Sequence, residues 1–132
     1  MTIARILIIE DNQFNHELID YLLTQAGYLT LSAWDGLEGL NTARATVPDL
    51  ILCDLQMPVM NGYEVVQKIK AETPIDGIPV VAVTASSMTG DSEKAFSAGF
   101  DGYIAKPIEP RTFVQQIEAF LPPSLRLGAN QG

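Results

Sequence analysis

Glu10-Asp11, Asp54, Thr84 and Lys106 are the residues of this chain whose types could do chemistry together, because each follows directly on a short apolar run. Residues 6–9 (ILII) run into the acid pair, residues 50–53 (LILC) into Asp54, residues 80–83 (VVAV) into Thr84 and residues 102–105 (GYIA) into Lys106. Runs of this kind, followed by turn formers such as Met57-Pro58 and Asn61-Gly62, read as buried strands ending in loops. If the strands are parallel, their polar endings share one rim, in the crevice where open parallel sheets place ligands. Three carboxylates there would repel one another by about 1–4 kcal/mol per pair at about 4 Å, so they need a cation or a raised pKa. Oxygen donors alone suit a hard divalent ion, and an open site of a few carboxylates completed by water is how Mg2+ is held. The Gln56 backbone carbonyl is an additional donor, and an aspartate beside such an ion can attack phosphorus to give an aspartyl phosphate. Lys106 and the ion would neutralise the phosphoryl oxygens, Thr84 would donate a hydrogen bond, and the N–H of the small Ala85 could approach closely.

The elements that must hold these residues in place alternate along the chain. Strand one, over 5–9, is followed by a helix capped near Asn12, with apolar positions Leu18, Ile19, Leu22, Leu23 and Ala26 and a stop at Gly27. Residues 29–34 alternate in polarity where the other strands are continuously apolar, which places strand two at a sheet edge. A weaker helix over about 36–45, anchored by Leu37, Leu40 and Ala43, precedes the strand that ends at Asp54. Asn61 is placed to cap a third helix with the stripe Val65, Val66 and Ile69. Strand four begins after Pro79, and a fourth helix over about 91–98 stops at Gly99. Strand five covers 101–105, and Phe113, Val114, Ile117, Phe120 and Leu121 lie on one face of a last helix over about 109–121. Five strands alternating with five helices through short linkers predict an α/β fold, a doubly wound five-stranded parallel sheet in the order 2-1-3-4-5.

With 132 residues, 47% of them hydrophobic, the chain can bury one core, so residues 1–122 are read as one domain and 123–132 as a flexible tail. Sixteen acidic residues against eight scattered basic ones give a net charge of −8, which argues against nucleic-acid binding. No apolar run is long enough for a membrane span and no signal peptide is evident at Met1, so no membrane association and a cytoplasmic location are expected. Cys53, the only cysteine, is read as a small core residue. His16, the only histidine, lies between Asn15 and Glu17 off the apolar stripe and is read as a solvated surface residue, and Trp34 as packing or edge cover.

Glu10-Asp11, Asp54 with Met57-Pro58 and Gly62, Thr84-Ala85, and Lys106-Pro107, in this order and at these strand ends, resemble the receiver domain of two-component response regulators, a CheY-like, flavodoxin-like fold. The resemblance covers about residues 5–121, and Glu10-Asp11-Asn12 with Thr84-Ala85 and Met88 is most similar to DivK-like single-domain regulators and the receivers of hybrid histidine kinases. It implies that Asp54 takes a phosphoryl group from a phosphohistidine of a sensor histidine kinase or a histidine phosphotransfer protein, with Mg2+ at Glu10, Asp11, Asp54 and the Gln56 carbonyl. It further implies that Thr84, Ala85 and Lys106 bind the phosphoryl group, and that Thr84 and Tyr103 switch position to report it. Gln56 and Ser86 would flank the path of the hydrolytic water, and the Lys106-Pro107 bond would be cis. A downstream target would read the face made by helix four, strand five and helix five, in a monomer or a weak phosphorylation-dependent dimer. Such a protein is not an enzyme beyond catalysing its own phosphorylation and dephosphorylation.

One other reading of the same pattern fits equally well, and two from other classes fit less well. A receiver fragment of a hybrid histidine kinase or larger regulator would carry the same motifs. A Mg2+-dependent phosphatase would have a second acid two residues after the nucleophile, where this chain has Gln56. A flavin-binding relative would need a Ser-, Thr- or Gly-rich loop after strand one, where Glu10-Asp11-Asn12 would repel the phosphate.

Overall fold

Strands that are apolar at almost every position must be covered on both faces, and that requirement organises the protein, whose computed structural model describes residues 3–85 and 90–127. β1 (Arg5–Ile9), β2 (Leu29–Ala33), β3 (Leu50–Cys53), β4 (Val80–Thr84) and β5 (Gly102–Ala105) form one parallel sheet in the order β2-β1-β3-β4-β5. The register pairs Ile9 with Cys53, Cys53 with Ala82 and Thr84 with Ala105, so the strand ends come level along one rim. The predicted doubly wound order is the one observed.

Successive side chains of a strand face opposite ways, so each strand feeds two cores. Leu7 and Ile9 of β1 pack with Leu40, Val65, Val66 and Ile69, under α2 (Gly36–Thr46) and α3 (Gly62–Lys70). Ile6 and Ile8 pack with Ile19, Leu23, Phe113 and Ile117, under α1 (Gln13–Gln25) and α5 (Phe113–Glu118). α4 (Asp91–Ala98) adds Ala95 to the first core. The caps come from the expected residues: the Asn12 side chain accepts from Asn15 N–H at 3.0 Å, and Asn61 with Glu64 completes a capping box on α3.

Several local expectations are corrected. Leu37 is exposed, and α2 is held instead by Gly36, Gly39, Leu40 and Ala43, with Gly39 lying where a Cβ would strike Ile9. α5 is shorter than the 109–121 expected, because residues 109–112 form a turn in which the N–H groups of Thr112 and Phe113 both donate to Glu109 O. Where a flexible tail is predicted over 123–132, residues Pro123–Leu125 form a 3-10 turn, and Leu125 and Leu127 pack against the second core. The buried Tyr28 hydroxyl donates to the buried Glu118 carboxylate and accepts from Leu127 N–H, while Arg126 Nε donates to Leu121 O at 3.0 Å. Residues 128–132 lie outside the described residues.

Candidate functional site

Glu10, Asp54 and Lys106 each stand one residue beyond the end of their strands, β1, β3 and β5, and Thr84 is the last residue of β4. Backbone hydrogen bonds carry the sheet one step past these ends: Asp54 N–H donates to Ile9 O at 3.1 Å, Glu10 N–H to Ala33 O at 3.1 Å and Lys106 N–H to Thr84 O at 2.8 Å. The side chains therefore leave a fixed frame. Glu10 and Thr84 are each 1% exposed and Asp54 7%, whereas Asp11 is exposed on the outer side of the group. One oxygen from each of Glu10, Asp11 and Asp54 lies within 4.8 Å of the other two.

The Lys106 ammonium bridges the two buried acids, at 2.6 Å from Glu10 Oε1 and 3.1 Å from Asp54 Oδ2. Asp54 Oδ1 accepts the backbone N–H of Gln56 at 3.2 Å, and Glu10 Oε2 accepts that of Asn12 at 3.1 Å. Burial, reinforced by the Asp54 charge, pushes the Glu10 carboxyl up to about 7 despite the Lys106 hydrogen bond. For Lys106, burial acts to lower the pKa, but the hydrogen bond to Glu10 and the two carboxylate charges outweigh it and raise the pKa. Burial, with the charges of Asp54 and Glu10, raises the Cys53 thiol, so it stays protonated in the core as expected, its Sγ 3.3 Å from Asp54 O.

This donor set fits a small hard cation. The oxygens converge, burial and the Asp54 charge hold the Glu10 carboxyl above its ordinary pKa, and one carboxylate faces solvent where waters could complete the coordination.

Two further features shape the loop after Asp54. Gly62, at the start of α3, donates its N–H to Leu55 O at 2.9 Å, and a Cβ there would run into the Asp54 carbonyl. Val59 has φ 70°, and Met60 N–H donates to Pro58 O at 2.7 Å, which makes a γ-turn around an exposed, β-branched residue.

The remaining expected residues are placed as follows. Ala85 is exposed just after Thr84, and the Gln56 side chain is exposed beyond Asp54. Tyr103 is half-buried in the middle of β5, opposite Ala82, and packs on the α2–α3 side of the sheet. Ser86 and Met88 lie outside the described residues. The Lys106-Pro107 bond is cis, as the resemblance implies, and so is Thr73-Pro74.

His16 is the residue the sequence reading misplaces. Rather than solvated, it is 2% exposed, with Nδ1 2.8 Å from Glu10 O and its ring stacked on Trp34, centroids 3.8 Å apart and planes at 11°. The signal was present in the spacing, since positions 16, 19 and 23 lie on one helical face, but the polar residue type obscured it.

Residues 6–118 match the family described as Response regulator receiver domain. The polar-differentiation response regulator DivK of Brucella anthropi is 41% identical over 116 residues, which cover 88% of this chain and 94% of that protein. Among solved structures, the receiver domain of a sensor histidine kinase from Pseudomonas aeruginosa PAO1, with a magnesium ion coordinated in its active site cleft, superposes with a TM-score of 0.83. It is 30% identical over 90% of this chain and 98% of that one. The Vibrio cholerae chemotaxis protein CheY4 superposes at 0.85, with 27% identity over 91% of this chain and all of that one.

Proposed function

The chain belongs to the response regulator receiver domain family of two-component signalling, and from that membership we propose that Asp54 is its phosphoryl acceptor. The observation that carries this reading is the convergence on Asp54 of one ammonium and two further carboxylates at the rim of the sheet. The donor is a phosphohistidine of a sensor histidine kinase or of a histidine phosphotransfer protein. An Asp54 carboxylate oxygen bonds to phosphorus as the P–N bond breaks, and the imidazole departs with the donor.

Lys106, already between Glu10 and Asp54, stabilises the charge on the transferring group. Thr84 donates its hydroxyl and Ala85 its N–H to the phosphoryl oxygens. Asp11, Asp54, Glu10 and the Gln56 carbonyl would hold Mg2+, which would supply the remaining charge neutralisation when bound. The Pseudomonas relative with magnesium in its cleft supports that choice of ion. Thr84 and Tyr103 then shift, and the face formed by α4, β5 and α5 is read by a downstream target protein. With a net charge of −8, that target is a protein rather than a nucleic acid.

The direct test is incubation with acetyl phosphate and Mg2+, followed by mapping of the acid- and base-labile phosphate. Label at Asp54, lost in Asp54→Asn, is the expected outcome. Undiminished label in that variant would overturn the assignment.

A further inference from the structure

The peptide bond between Glu10 and Asp11 is the common base of two of the three carboxylates. Because that unit is planar, a donor held on its carbonyl oxygen fixes how the plane is turned and so restrains the backbone from which both side chains depart. The oxygen is Glu10 O, and its donor is a side chain of α1, His16 Nδ1, at 2.8 Å. A carbonyl only accepts, so Nδ1 carries the hydrogen.

The imidazole is itself confined. It is buried on the α1 side of the strand ends, and the indole of Trp34, the residue after β2, lies flat against it. Its other nitrogen, Nε2, is buried without a partner among the described residues. A side chain chosen only to fill this space would be apolar, since an unpaired buried nitrogen is unfavourable. The hydrogen bond to Glu10 O is therefore what the histidine adds over a hydrocarbon of similar size.

We propose that His16 is a positioning residue for phosphoryl transfer: its Nδ1–H, held by the Trp34 ring, sets the Glu10–Asp11 peptide plane so that both carboxylates reach one ion beside Asp54. This rests on the assignment of Asp54 and its Mg2+ site made above. Residues that orient metal ligands through a hydrogen bond typically change metal affinity by about 10–100-fold when replaced.

Calorimetric titration of Mg2+ into wild type, His16→Leu and His16→Asn separates positioning from packing. His16→Leu fills the space without a donor and should weaken binding by about tenfold. His16→Asn, whose amide places an N–H near the Nδ1 position, should recover most of that loss. Equal affinity in wild type and His16→Leu, or an Asn variant no better than Leu, would overturn the proposal. A wild type that neither binds Mg2+ nor takes a phosphoryl group from acetyl phosphate would instead overturn the underlying site assignment.

A metal-free readout exists as well. Nitrogen-15 NMR of the apoprotein should find the His16 hydrogen on Nδ1 and slow to exchange; a ring protonated on Nε2 alone would refute the contact. Should His16→Leu fail to fold, Trp34→Ala serves, because that residue is 42% exposed. Faster exchange of the Nδ1 hydrogen with weaker Mg2+ binding supports the clamp, and no change in either overturns it.

Discussion

Glu10 is the residue at which the site's electrostatics can be measured without any partner. Its carboxyl, ordinarily near 4.5, is held up to about 7 by burial and by the Asp54 charge. A carboxyl whose pKa is raised on folding binds its proton more tightly in the native state. Its contribution to stability is therefore full below 4.5 and lost as the pH climbs through about 7. Mg2+ bound at the proposed site would reverse the preference, because only the ionised carboxylate is a good ligand. The rise in Tm produced by Mg2+ should grow between about pH 6 and about pH 8, as thermal melts with and without the ion would show; a pH-independent rise would contradict it. Asp11 is the complementary case: exposed, and a third negative group beside two others. Asp11→Asn should weaken Mg2+ binding and slow labelling by acetyl phosphate while leaving Tm unchanged or slightly higher, since repulsion is relieved. Unchanged Mg2+ affinity in a titration would count against its role as a ligand. At this scale Asp54, Thr84 and Lys106 were legible because a polar residue ending an apolar run has few reasons to be there. His16 was not, because its contact is to a backbone oxygen that no side-chain pattern records.

Elements place these residues through two glycines and two strained turns as much as through their strands. Gly62 opens α3 against the backbone of Asp54 and Leu55, where a Cβ would lie 2.8 Å from Leu55 Cα. Gly62→Ala must displace the start of α3 or the Asp54 loop, so a loss of about 1–3 kcal/mol is expected in denaturant melts, with slower labelling at Asp54. Gly36 plays the same part on the neighbouring helix, facing the Met60 carbonyl at the far end of that loop. Val47 ends α2 with φ 45° and ψ 69°, a left-handed conformation that suits glycine and strains a β-branched residue. Such strain is worth about 1–3 kcal/mol, and the greater freedom of glycine in the unfolded chain takes back about 1 kcal/mol. Val47→Gly should thus stabilise the protein, a gain of up to about 2 kcal/mol in the same melts, and a loss would mean that the side chain contributes more packing than its exposure suggests. β1, β3, β4 and β5 were readable because burial leaves an almost unbroken apolar run, and β2 because its edge position leaves an alternating one. The start of α5 was not, since it depends on the turn at Glu109 rather than on hydrophobic period.

Across the whole molecule, the sheet lies between two cores, and Asp54 reaches the outer surface through the strands on one side of it. Thr84 ends β4 and Tyr103 sits on the adjoining edge strand β5, on the face that α4 covers. On the proposed function, a phosphoryl group would bring close to two negative charges and three strong acceptors to Asp54, which would draw the Thr84 hydroxyl inward and leave room for the Tyr103 ring. Addition of beryllofluoride with Mg2+ should therefore move the amide resonances of residues 90–98 and of Tyr103, and Thr84→Ala should abolish that response while Asp54 is still labelled. Silence at those amides in the wild type would refute the coupling. Strand order and rim were predictable at this scale from the alternation of β2 and the parallel crossovers. The closure at the opposite end was not, because Tyr28 is far in sequence from Glu118 and Leu127 and meets them through hydrogen bonds that no apolar period records. That closure bears on how the protein meets a protease. With Leu127 N–H held by Tyr28 and Arg126 Nε by Leu121 O, the bond after Arg126 cannot enter a tryptic cleft until the segment unfolds locally. Native trypsin should spare Arg126, despite its nearness to the chain end, and Tyr28→Phe should turn it into an early cut.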